Sequence, residues 1–399
     1  MRSRGLLPGS SQARPIPGIV FGVTSRLRVL DLFAGAGGIS AGFARLRKSA
    51  GNPIFEVVGA VEKDPSAAAT FSKNHVGVPI FAGPIEEYRE SPAADIVVGG
   101  PPCQGFSQLG KQDPEDPRNK LWNEYFAVVG RIRPAAFVLE NVSRFAVSSE
   151  LSAFSRRCAQ AGYPDPLVLS LNAADYGVPQ RRTRTIVVGH RADTPAPQAP
   201  RPTHERTPSL EGLRPWRTVG DVLAGVTTEP STTALPPEHH TEIALWDGSR
   251  VTVPGPFQTC ELHLGRNPTA LSLERYRHIR EGENRHALPT HLQAVCWTRH
   301  KNGSGDVMGR LRWSEPSVTI RTEFFKPEKG RYLHPTRDRP ITHMEAALIQ
   351  GFPPGYLWCG SKVEIARQIG NAVPVPLAEA IGSVLADCLT LLKSGTSTR

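Results

Sequence analysis

The stretch RVLDLFAGAGG, residues 28–38, decides the fold. RVLDLF (28–33) is an apolar run that breaks into glycines, and ISAGFARLRK resumes at once with helical spacing. This reads as strand, tight turn and helix, and an open α/β sheet binds its ligands at the carboxyl ends of such strands. The glycines let a ligand approach the backbone closely. The dinucleotide fingerprint GxGxxG would need glycine at position 40, where Ser40 stands, so a pyrophosphate-bearing dinucleotide is disfavoured. The next apolar run, EVVGAVE (56–62), ends in Glu62, an acid placed to accept hydrogen bonds from ribose hydroxyls. A nucleoside without phosphates satisfies both facts, and S-adenosylmethionine is the common one. The plain alternative is a tight turn with no ligand.

Outward from this stretch the pattern repeats. A helix opened by Asp64-Pro65, a strand DIVVGG (95–100), a helix NKLWNEYFAVVGRI (119–132) and a strand AAFVLEN (135–141) follow in order. LSAFSRRCAQAG, PLVLSLNA and TRTIVVGH complete the series up to His190. Strands alternating with helices predict a parallel sheet covered on both faces. At residue 191 the chain turns Pro-rich (ADTPAPQAPRPTHERTP), and residues 205–335 show weak periodicity with many Arg, His and Trp. Order returns at Thr342, where Thr-x-x-Glu precedes an apolar stripe as a capping box. ARQIGNAVPVP then reads as a loop before a final amphipathic helix. The expected organisation is a disordered tail over 1–25, an α/β domain over 26–190, an irregular domain over 191–340, and a return to the first domain over 341–399.

The 399 residues carry a formal charge of +10, and arginine far outnumbers lysine. That balance fits a polyanionic partner, with arginine suited to phosphate. No segment reaches the roughly 18 uninterrupted apolar residues of a membrane span. Residues 1–25 have no apolar core of a secretion signal. The six cysteines form no CxxC pair, and the histidines between 239 and 300 have no zinc-ligand spacing, so neither a metal nor a disulfide framework is expected. The expected location is a reducing one, the cytoplasm.

Three further stretches carry chemistry. In VVGGPPCQGFS (97–107) two glycines and two prolines fix Cys103 at the end of a strand. A cysteine so presented suits a nucleophile, since the thiolate is reactive near neutral pH. A structural thiol remains the competing reading. Glu140 ends the next strand, where it could protonate a heterocycle or simply favour a helix dipole. In QRRTR (180–184), Arg182 and Arg184 alternate toward one side if extended, facing a base, a phosphate or solvent.

DLFAGAGG, GPPCQGFS, LENV, NAADYGVPQRRTR and QIGNAVP, in this order, resemble the DNA (cytosine-5)-methyltransferases over residues 28–190 and 308–385. The resemblance implies a Rossmann-like S-adenosylmethionine-dependent methyltransferase sheet with a smaller, irregular target-recognition domain. It implies that Cys103 adds to C6 of a flipped cytosine in a short duplex sequence. Glu140 would contact N3 and the exocyclic amine, Arg184 would hold O2, and Arg182 would order the pocket or meet a phosphate. Phe33, Gly35, Gly37, Glu62, Pro102, Leu121 and Asn371 would contact the cofactor. Ser107 and Arg118 would lie on a mobile loop, against the backbone of the flipped base and a phosphate. Arg277, Arg280, Arg285, Arg299 and Arg310 are candidates to read guanine. Two positions depart from the family: Lys63 stands where an aromatic residue often follows the ribose-binding acid, and Pro84 where an acid often binds the adenine amine, with Glu86 a weak substitute. The implied partners are double-stranded DNA and a companion restriction endonuclease, and the implied state is a monomer. RNA cytosine methylation on the same fold, or a non-catalytic DNA-binding regulator, are the competing functions.

Overall fold

The computed structural model describes residues 26–49, 51–102, 121–207, 212–226, 228–299 and 305–393. The tail expected over 1–25 lies outside them, as do Cys103, Ser107 and Arg118.

Seven strands form the central sheet: β1 (Leu27–Leu32), β2 (Phe55–Glu62), β3 (Ile80–Ala82), β4 (Ile96–Gly99), β5 (Ala136–Val142), β6 (Leu167–Asn172) and β7 (Thr183–His190). Their spatial order is β3-β2-β1-β4-β5-β7-β6. Chain order reverses between β1 and β4, and a crevice opens at such a switch point. The sheet is not wholly parallel as the sequence suggests. β7 runs antiparallel to both β5 and β6. The ten residues between β6 and β7 hold only a short 3-10 turn at Ala173–Tyr176, too little for the helical crossover that a parallel pair needs.

Side chains alternate faces along each strand, and the two faces bury different partners. Ile96, Val98, Ala136, Val138, Ile186 and Val188 pack with Phe43, Leu377, Ile381 and Leu385. Val97, Phe137, Leu139 and Val187, on the other face, pack with Tyr125, Phe126, Val129 and Phe154. The covering helices are therefore α1 (Gly38–Phe43) and α10 (Val375–Lys393) on one side, and α3 (Leu121–Ile132) and α4 (Ser149–Gln160) on the other. Helix α2 (Pro65–Asn74) starts where Asp64 accepts from the amides of Ser66 and Ala67, with proline in the first turn.

Beyond β7 the elements are short. They comprise β8 (His204–Glu205), β9 (Arg214–Pro215), α5 (Gly220–Leu223), the hairpin β10 (His240–Ala244) and β11 (Arg250–Pro254), β12 (Phe257–Gln258), α6 (Ala270–His278) and α7 (Val295–Arg299). Tyr276, Ile279, Leu288, Leu292, Met308 and Leu333 form a small core of their own. Val219, Phe257, Leu262, Leu311 and Ile320 instead share a core with Ala36, Ile349, Trp358 and Ile369. The chain then forms α8 (His343–Ile349), β13 (Leu357–Trp358) and α9 (Lys362–Asn371). Thr342 and Glu345 make the expected capping box. Residues 366–371 are helical rather than a loop, because Ser361 and Glu364 form a second capping box that starts α9. No single helix among the described residues is long and apolar enough to cross a membrane.

Candidate active site

The glycine turn after β1 brings its residues to the switch point. Phe33 and Gly35 take positive φ values of 54° and 55°. Glu62, at the end of β2, accepts from the Gly35 amide at 2.8 Å through one oxygen and from the Asp64 amide at 2.7 Å through the other. Burial pushes its pKa up, and these two amides pull it back. A Cβ built on Gly35 meets nothing within 4 Å, so the turn borders open space beside a fixed carboxylate. Gly37 faces the other way: a Cβ there would lie 2.7 Å from Nε2 of His75 and 3.1 Å from the hydroxyl of Tyr356. Its glycine serves packing.

Ser40, the residue that breaks the dinucleotide fingerprint, donates its hydroxyl to Asp31 at 2.6 Å. Asp31 is buried, and its Oδ1 finds no hydrogen-bond partner among the described residues. Burial raises its pKa to about 7, with the Ser40 hydroxyl opposing and Glu62 adding to the rise. Tyr356 donates its hydroxyl to the carbonyl of Ala36, tying the turn to the C-terminal part of the chain. Asn371 is exposed at the end of α9. The residues after it, Ala372 and Val373, cover Gly38 so closely that a Cβ there would sit 2.5 Å from the Val373 carbonyl. Leu121 is half-buried against the cluster beneath β4 and β5, and Pro102 is half-buried at the last described position before Cys103.

The second half of the site stands on β5 and β7. Val142 pairs with Arg184 in the antiparallel register, so Arg184 emerges diagonally from Glu140 on the same face. Its Nε donates to the Glu140 carboxylate at 2.9 Å, with each side chain nearly buried. Burial lowers the Arg184 pKa, and Glu140 opposes the fall. Glu140 also overhangs the chain leading to Cys103: a Cβ on Gly100 would lie 2.9 Å from Glu140 Oε2. The amide of Asn141 holds the Pro101 carbonyl at 3.2 Å. A carboxylate, a guanidinium and the backbone leading to Cys103 thus converge at one sheet edge. Arg182 turns inward instead. It is buried, donates to the Ile320 carbonyl at 3.0 Å, and has its pKa driven down by burial and by Arg184. That position suits ordering of the pocket and keeps Arg182 away from solvent-side phosphate.

Of the candidate guanine readers, Arg277 and Arg280 are exposed and Arg285 is buried. Nothing is described of the Arg299 side chain. Arg310 is buried and donates to the carbonyls of Ile279, Tyr276, His334 and Arg337 at 2.6, 2.6, 2.7 and 2.5 Å and to Asp338 at 2.9 Å. It is a structural bolt, because every donor it could offer a base is already engaged inside the protein. Sequence reasoning missed Gln180, which donates to Gln350 at 2.7 Å and accepts from the Ile320 amide at 2.8 Å, joining the QRRTR strand to the C-terminal helices. No local pattern marks it.

The family model for C-5 cytosine-specific DNA methylases matches residues 27–387. The Type II methyltransferase M.XorII of Xanthomonas oryzae pv. oryzae is 31% identical over 391 residues, covering 90% of this chain and 84% of that one. The Type II methyltransferase M1.HphI of Haemophilus parahaemolyticus is 29% identical over 375 residues, covering 90% and 86%. Among solved structures, a DNA modification methyltransferase encoded within a prophage of E. coli superposes with a TM-score of 0.64 at 24% identity, covering 91% of this chain and 99% of that one. At that identity the likeness speaks for the fold.

Proposed function

The chain belongs to the C-5 cytosine-specific DNA methylases, and from that premise we propose how it works: it methylates C5 of a cytosine extruded from a short duplex sequence, through a covalent adduct at Cys103. The observation that carries this reading is the Glu140–Arg184 pair, set 2.9 Å apart directly over Gly100, three residues before the cysteine. Cytosine C5 is a weak nucleophile until a group adds at C6. The Cys103 thiolate forms the C6–S bond, and the ring electrons move toward C5. Glu140, at N3 and the exocyclic amine, supplies the proton that neutralises the ring. Arg184 holds O2 and keeps the Glu140 carboxylate aimed. Loss of the C5 proton and cleavage of the C6–S bond then restore the aromatic ring. The attack needs both ring faces, so the base leaves the stack at a cost of a few kcal/mol.

The cradle fits S-adenosylmethionine. A carboxylate fixed by two backbone amides suits a ribose diol, and the open space at Gly35 admits a ligand where a side chain would fill it. Phe33, Gly35, Glu62, Pro102, Leu121 and Asn371 would hold it. When bound, it supplies an electrophilic methyl group to the activated C5. Ser107 and Arg118 would follow the DNA backbone on the loop after Cys103. The relatives named as Type II methyltransferases support a modification role beside a companion endonuclease, with the enzyme acting as a monomer on double-stranded DNA.

Duplex DNA carrying 5-fluorocytosine tests the mechanism, because fluorine at C5 cannot leave as a proton does. A denaturation-resistant protein–DNA complex is expected at the sites that bisulfite sequencing marks as methylated. Turnover of normal DNA with no trapped complex would overturn the adduct, and methylation of tRNA in place of duplex DNA would overturn the substrate.

A further inference from the structure

Two positions beside Glu62 are poorly equipped to hold a purine. Lys63 is exposed, and Pro84 offers no hydrogen-bonding side chain. Another part of the chain comes to the same place. The β10–β11 hairpin lays Ile243 and Val253 on Ala68 and Ala69 of α2 and on Ala82 of β3. Past the end of β10, Trp246 donates its backbone N–H to the Ala82 carbonyl at 3.1 Å. Its side chain then covers Gly83. A Cβ built on Gly83 would lie 2.3 Å from Cδ1, 2.5 Å from Cγ and 2.7 Å from Cβ of Trp246, so only glycine admits the indole there. The Gly83 amide in turn donates to the Glu62 carbonyl at 3.0 Å. The indole therefore rests on the neighbour, one strand spacing of about 4.8 Å away, of the residue that faces the ribose. Trp246 is nonetheless 48% exposed, although the apolar residues on either side of it in the hairpin pack inward. An exposed indole seated on the strand next to the one that ends in Glu62 would offer a nucleoside a face for its base, and Glu62 an acceptor for its sugar.

We propose that Trp246, carried on a hairpin of the segment expected to recognise DNA, is the stacking platform for the adenine of the cofactor. The inference rests on the S-adenosylmethionine reading above. It explains how this chain dispenses with an aromatic residue at position 63 and an acid at position 84: the base is held by its face from a distant segment.

The test is binding of S-adenosylhomocysteine to the full-length protein by calorimetry, without DNA or turnover. Trp246→Ala is expected to weaken binding about tenfold, the scale of one base–aromatic stack, and Trp246→Phe by less than about threefold. Subtracting the Trp246→Phe emission from that of the wild type isolates this indole, and saturating S-adenosylhomocysteine is expected to quench it. Wild-type affinity in Trp246→Ala would overturn the platform and leave the cofactor reading standing. If Trp246→Ala does not fold, the emission difference decides, and a signal indifferent to ligand would overturn the proposal. A wild-type protein that binds no S-adenosylhomocysteine would sink the cofactor reading itself, and this inference with it.

Discussion

The central sheet and the segment from His204 to Pro340 are built by different rules. In the sheet, the side-chain period of two sorts residues between two cores, so β4 can send Ile96 and Val98 one way and Val97 the other. Among the described residues of the later segment no strand exceeds five residues, and long cations close the gaps. Arg310 reaches four carbonyls and a carboxylate, and Arg331 donates to the carbonyls of Gly282, Glu283 and Arg310 at 2.8, 3.0 and 3.0 Å. Arginine is abundant there partly because it is mortar. Counting positive charge overstates how many of these residues face DNA.

The contrast can be broken experimentally, starting at the sheet edge. Cys103→Ser is expected to cut single-turnover methyl transfer by at least about 10⁴-fold, on the scale of removing a covalent nucleophile, while S-adenosylhomocysteine binding stays at the wild-type level. Lost binding would show that the residue holds the loop rather than attacks. Glu140→Gln is expected to lower the same rate by about 10²- to 10⁴-fold, the usual range for a positioned proton donor; near-normal turnover would separate the acid from the chemistry. In the later segment, Arg310→Ala is expected to destabilise the protein by about 3 kcal/mol through orphaned carbonyls and lost packing, measured by urea unfolding. The sequence methylated at low temperature should not change, and altered base preference would make Arg310 a reader after all.

The smallest effect belongs to Asp31. Its folded pKa of about 7 lies above the ordinary 3.8, so its contribution to stability is full below pH 3.8 and is lost as pH rises through 7. Between pH 6 and pH 8 the wild type is expected to lose about 1.4 kcal/mol more than Asp31→Asn, the work of one pKa unit. Unfolding curves with identical pH dependence would show that the buried carboxyl does not titrate there.

Much of the sheet and its edge was legible because local signals carry it. The run into DLFAGAGG places the strand and turn, and Asp64-Pro65 places α2. The convergence of Glu140 with Arg184 was only half legible. Both residues could be named, but their contact depends on β7 running backwards, which no residue in TRTIVVGH encodes; the short β6–β7 connection was the available clue. Ser361 and Glu364 spelled a capping box that the glycine and proline of QIGNAVP obscured. Trp246 was invisible as a ligand platform, because its seat on Gly83 joins residues 163 positions apart through the packing of a hairpin on α2. Pairings of that kind are set by tertiary contact and leave no period behind.

The small core around Tyr276, Ile279, Leu288, Leu292 and Met308 has a practical consequence for grafting sequence specificity between relatives. These residues close mainly on one another, whereas Phe257 and Leu262 are welded to the C-terminal helices and the hairpin before them leans on α2. A graft limited to the piece between Leu264 and Met308 is expected to keep those contacts intact, with Leu333, Arg310 and Arg331 of the host as its floor. Seams cut at residues 191 and 340 would remove walls that belong to the recipient.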